Sequence, residues 1–172
     1  KRHPPFYPAL VWAAILIGVL GGFGLGAQMV FSLGFGYPIG RVFPAMVQVH
    51  GHLQLLGWTG LFIIAMSMYQ LPRLMHAKPL SPHILTTLLV TIAGGLVLRS
   101  AAQLGLYWFN GLEQLRYVVA AGVILESFGI FLYLFAIGPK ALTYVPTPAA
   151  VSARGIKPFL IVSLFGWLGF AL

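Results

Sequence analysis

PALVWAAILIGVLGGFGLGAQMVFSL, running from Pro8 to Leu33, holds no charged residue, and its polar side chains are Gln28 and Ser32. A hydrocarbon layer about 30 Å thick is crossed by about 20 helical residues rising ~1.5 Å each, so a run of this length, apolar on every side, reads as a membrane-crossing helix. A membrane β-barrel strand would instead be about 10 residues long and alternate in polarity. Backbone groups in lipid must be satisfied within the segment, which leaves the helix. Gly18, Gly22 and Gly26 recur every four residues along one stripe, the spacing that lets a second helix approach closely.

The same pattern repeats along the chain. Pro44 is a good first-turn residue for a second span of about Ala45 to Leu71, ended by Pro72. Pro82 opens a third, about Ile84 to Trp108, closed by an Asn110-Gly111 turn. A fourth covers about Leu115 to Ile137 and is expected to stop at Gly138-Pro139. The segment Lys140 to Lys157 carries three further prolines and is too polar and broken to cross, and Pro158 begins a fifth apolar run reaching Leu172. The expected fold class is therefore all-α, a single polytopic integral membrane helix bundle. The chain opens at Lys1 and stops inside a hydrophobic run, so a longer polypeptide is expected. The first run is too long for a signal peptide and lacks a small-residue cleavage site.

Composition agrees. Lys and Arg contribute 10 residues and Asp and Glu 2, so 7% of the chain is charged while 59% is apolar. An ordinary soluble domain is about a quarter charged. Cysteine is absent, which removes disulfides, thiolate metal sites and cysteine nucleophiles. Two carboxylates and no thiol leave no acid/base pair or nucleophile triad for hydrolytic chemistry. Lys1, Arg2, Arg73, Lys78, Lys140, Arg154 and Lys157 fall on the side bearing the N-terminus, against Arg41 and Arg116 opposite, which places the N-terminus in the cytoplasm by the positive-inside rule. The net charge of +8 is then a matter of topology and lipid headgroups, and no nucleic-acid partner is expected. The partners expected are the bilayer and other transmembrane helices.

Chemistry concentrates in the second span, where His50-Gly51-His52 lies in the first turns of an otherwise apolar helix. Imidazoles at such depth face a bundle interior, a cavity or a cofactor. Residues two apart on a helix point in nearly opposite directions, so the two rings do not bind one metal together but can serve separate sites. Gln54 shares the face of His50 and Gln48 that of His52, and either amide could orient an imidazole. Plain hydrogen bonding to neighbouring helices is the alternative. His3, His76 and His83 lie at or beyond the opposite interface, and Met29 and Met46 read as packing residues.

The string His50-Gly51-His52-Leu53-Gln54-Leu55-Leu56-Gly57-Trp58-Thr59-Gly60-Leu61-Phe62, with Leu71-Pro72-Arg73-Leu74 and Gly95-Leu96-Val97-Leu98-Arg99, resembles the NnrS-type haem- and copper-containing membrane proteins of the nitric-oxide response, which are distantly similar to subunit I of the haem-copper oxidases. The resemblance covers roughly Gln48 to Gln103. It implies a bundle of about a dozen helices holding haem, with His50 and His52 as the matching metal ligands, copper as a further metal, and a bacterial inner membrane as the setting.

Arg99 and Glu126 are the two remaining intramembrane charges. At about 2.5 to 3.5 kcal/mol each on insertion scales, both need partners. An ion pair between them across adjacent antiparallel helices is one reading. The other gives Arg99 a haem propionate, suited to its planar fork of donors, and leaves Glu126 as a proton-relay or quinone-site carboxylate. The leading function is a haem-binding redox or gas-responsive membrane protein, with catalytic turnover left open. A non-catalytic helical subunit of a respiratory or photosynthetic assembly is the alternative. A transporter would show broken helices in related halves, which are absent from the pattern.

Overall fold

The structure, a computed structural model, describes residues 7–74, 80–109, 112–143, 161–163, 165–167 and 169. The Asn110-Gly111 turn, His3, His76, Pro158 and the basic residues Lys1, Arg2, Lys78, Arg154 and Lys157 lie outside them. Among the described residues the secondary structure is entirely helical, with four helices long and apolar enough to cross a membrane: Pro8–Gly34, Gly40–Arg73, Pro82–Trp108 and Leu115–Lys140. This is an all-α membrane bundle, with consecutive spans antiparallel. Residues 35–42, 109 and 112–114 lie on one side of it, called here the loop side.

Local chemistry explains the boundaries. Gly36 and Gly40 adopt positive φ (70° and 65°), a region open to glycine without cost, and a 3₁₀ turn at Gly40–Val42 leads into the second span. Pro44 then sits in the first turn, as its missing N–H favours. Ser81 caps the third span by accepting from the Ile84 N–H at 3.4 Å. Two proline stops shift. The second span runs two residues past Pro72 to Leu74, and the fourth helix runs through Pro139 to Thr143 instead of stopping at Gly138. A helix interior proline removes one backbone bond, and unwinding in an apolar surrounding would forfeit several, so the helix continues.

Three spans contain a π-helical segment: Ile17–Phe23, Leu53–Gly60 and Leu89–Gly94. This was not legible in the sequence. The bundle interior is formed by all four spans through Leu10, Leu56, Ile64, Leu88, Leu96 and Ile130, each 0–2% exposed. Large apolar side chains such as Leu20, Val30, Tyr117 and Phe135 are 71–80% exposed, the outward surface a lipid-solvated helix presents. Lipid tails are as apolar as leucine, so cohesion rests on close packing and on glycine approaches. The stripe Gly18, Gly22, Gly26 does pack on the second span: a Cβ at these positions would lie 2.9 Å from Trp58 Cβ, 2.9 Å from Gln54 Cδ and 2.8 Å from His50 Cε1. In the fifth segment, Trp167 meets Tyr133 edge-on at 5.8 Å.

Candidate functional site

The second span sends its polar side chains two ways. On the first-span side, His50 Nδ1 lies 2.8 Å from the carbonyl oxygen of Gly22. A carbonyl only accepts, so Nδ1 carries the proton and donates it, which leaves the lone pair on Nε2. Glycine is what admits the ring, since the imidazole lies against Gly26 and Gln54 lies against Gly22. Nε2 of His50 has no hydrogen bond to a described residue and is not among the fully buried atoms. It is a half-exposed imidazole of settled tautomer with an open coordinating nitrogen.

On the other side His52 joins both intramembrane charges. Its Nε2 lies 2.6 Å from Arg99 Nη1 and 2.8 Å from Glu126 Oε2, and Arg99 Nη1 donates to Glu126 Oε2 at 3.2 Å. The ion pair read from the sequence is therefore present, with His52 as a third member that the sequence reading did not include. A guanidinium only donates, and an imidazole nitrogen has a single lone pair, so Nε2 either accepts from Nη1 or, carrying its proton, donates to Oε2, while Nη1 donates to Oε2 in both cases. Glu126 is 4% exposed, and its Oε1 is buried without a partner among the described residues.

Glycines bring these groups together. The third and fourth spans cross where a Cβ on Gly95 would lie 2.9 Å from the Gly122 carbonyl oxygen and one on Gly122 would lie 2.7 Å from Arg99 Cβ. Arg99 and Glu126 each follow one of these glycines by four residues, one turn. Another turn towards the loop side, Gln103 Nε2 donates to Gln48 Oε1 at 2.7 Å. His52 follows Gln48 by four, as Gln103 follows Arg99, so two rungs stack on one interface.

The opposed directions expected for His50 and His52 hold. Gln48 shares the His52 face as read, and Gln54 lies with His50 against the first span. Met29 and Met46 are buried, 8% and 2% exposed, in a small cluster with Val42, and His83 is exposed. His50 Nε2 is the open imidazole nitrogen that would hold a haem iron, whereas His52 Nε2 is held by Arg99 and Glu126. Among the described residues no three His, Asp or Glu side chains gather as a metal cluster, so copper finds no ligand set there. The chain matches no protein-family model, no curated protein and no solved structure.

Proposed function

We propose that this chain is a haem-binding integral membrane protein with a redox or gas-responsive role, in which His50 is the axial ligand. The observation that supports it is the Nδ1–H bond from His50 to the Gly22 carbonyl, with Nε2 left open. Metal-ligating histidines ordinarily donate their other ring N–H to a carbonyl or carboxylate, which sets tautomer and ring direction and raises basicity. When bound, haem supplies an iron centre for one-electron transfer or for binding a small gas. Gly22 orients the ring, Gly26 makes room beside it, and Gln54 stands one turn on.

The N-terminus is proposed to face the cytoplasm of a bacterial inner membrane, with further transmembrane helices as partners and copper, if carried, bound outside the described residues. The test is haem per chain in purified protein by pyridine haemochrome, with the Soret spectrum. About one haem per chain is expected, lost in His50→Ala and kept in His52→Ala. Wild type without haem sinks the proposal and leaves the reading of a non-catalytic helical subunit of a larger membrane complex.

A further inference from the structure

Counted inwards from the loop-side ends of their helices, Gln48 and Gln103 lie five residues deep, His52 and Arg99 nine, and Glu126 eleven. At ~1.5 Å per residue these depths are roughly 8, 14 and 17 Å, so the line of polar groups ends near the middle of a layer about 30 Å thick. Exposure falls along the same line. Gln48 is exposed and Gln103 half-buried, the His52 and Arg99 side chains are 23% and 24% exposed, and that of Glu126 is 5%.

Arg99 is the informative member. Only its Nη1 is bonded to described residues, while Nε and Nη2 have no such bond and are not among the fully buried atoms. Hydrocarbon cannot be the neighbour of three open N–H groups at that depth. The exposed side of the Gln48–Gln103 pair makes the same demand nearer the surface.

We propose that this ladder lines a narrow water-filled inlet, open on the loop side, through which water reaches Glu126. Water satisfies the open guanidinium and amide groups. Among the described residues, His52 and Arg99 are the titratable or charged groups that meet Glu126, and Tyr133, seven residues further along its helix, is bonded to Ser67 at 2.9 Å. Towards Ser67 the interface closes on Leu56, Ile64, Ile92 and Leu96, each 0–1% exposed, so the inlet has one mouth. The inlet does not depend on haem, since His50 lies on the opposite face of the second span.

The chain has no cysteine, so single thiols introduced into it report access directly in lipid nanodiscs, with any cysteine elsewhere in the full protein replaced by serine. With the anionic reagent sulfonatoethyl methanethiosulfonate, Gln103→Cys and His52→Cys are expected to react at least roughly tenfold faster than Val97→Cys, because the reactive thiolate forms where water solvates it. Val97 lies eleven residues deep by the same count, level with Glu126, but is 54% exposed on the lipid side. Ser67→Cys, beyond the apolar closure, should stay inert. In acid, the infrared carboxyl band abolished by Glu126→Gln should shift during a brief transfer to D2O. Equal rates at Gln103, His52 and Val97 overturn the proposal and assign the ladder to a covering helix. Reaction at Ser67→Cys instead of Gln103→Cys overturns it too, as does a Glu126 band that shifts only on unfolding. If His52→Cys fails to fold, Gln48→Cys and Gln103→Cys decide.

Discussion

Gly122 lies so close to Arg99 that a Cβ on the glycine would stand 2.7 Å from Arg99 Cβ and 2.8 Å from the Gly95 carbonyl. The glycine crossing and the charged cluster are thus one construction, with the backbone approach setting the distance between guanidinium and carboxylate. Gly122→Val is expected to part the third and fourth spans and cost about 2 to 4 kcal/mol, in the range of overpacking plus a disturbed buried pair. Gly34→Ala, where an added methyl would meet no atom within 4 Å, should be neutral or raise stability by up to about 1 kcal/mol. Unfolding in mixed micelles measures both.

For the Arg99–Glu126 pair the expectation is non-additivity. Arg99→Met or Glu126→Leu alone strands a charge and should cost about 3 to 5 kcal/mol, whereas the double replacement should cost less than either. A double variant worse than both singles would mean that Arg99 answers chiefly to an anion other than Glu126. The cycle is read from thermal denaturation midpoints together with haem content, which Arg99→Met should leave intact.

A gentler effect is expected at Tyr133. Its hydroxyl lies 2.9 Å from Ser67 Oγ, but Ser67 also donates to the Ile64 carbonyl at 2.8 Å, so Tyr133→Phe orphans nothing on the serine. A loss of about 0.6 kcal/mol, typical of interhelical hydrogen bonds within a bilayer, is the expected result by the same unfolding assay.

Gly26→Val tests the His50 pocket from the opposing helix. The added side chain would fall 2.8 Å from His50 Cε1 and 3.2 Å from Nδ1, turning the ring off the Gly22 carbonyl. Haem content should drop at least tenfold while the helix content by circular dichroism stays unchanged. Retention of full haem with an unaltered spectrum would remove His50 from the ligand position.

Topology has its own measurement. With the N-terminus in the cytoplasm as proposed, cysteine at Ala149 should resist an impermeant reagent in intact cells while cysteine at Gly36 reacts. Equal labelling would reverse the orientation.

Much of this arrangement could be read from residue order alone. Apolar runs located the four spans, the four-residue glycine stripe identified a packing face, and the two-residue spacing of His50 and His52 gave opposed rings. Counting inwards from Trp108 and Leu115 brought Arg99 level with Glu126. The same count from Phe43 would also have brought His52 level with them, but opposite charges suggest a pair, and a neutral imidazole gives no such cue. The π-helical turns escaped because winding depends on how neighbouring helices seat, and glycine content alone does not specify it. Pro139 was misread as a stop because its local penalty is smaller than that of exposing several backbone groups to lipid.

Those π-helical turns have a consequence for how the molecule can change. Each amounts to a residue absorbed within a span, and a helix that passes through one emerges with its angular phase reset. In the second and third spans the loop-side half carries Gln48, His50, His52, Arg99 and Gln103, and the far half carries the packing residues Ile64, Met68, Leu85 and Leu88. The two halves of a span are therefore phased separately. Rewinding Leu53–Gly60 as ordinary α-helix with no residue lost would swing Ile64 and Met68 about 100° out of the bundle while His50 and His52 kept their directions, whereas deleting one residue there would leave both halves facing as they do.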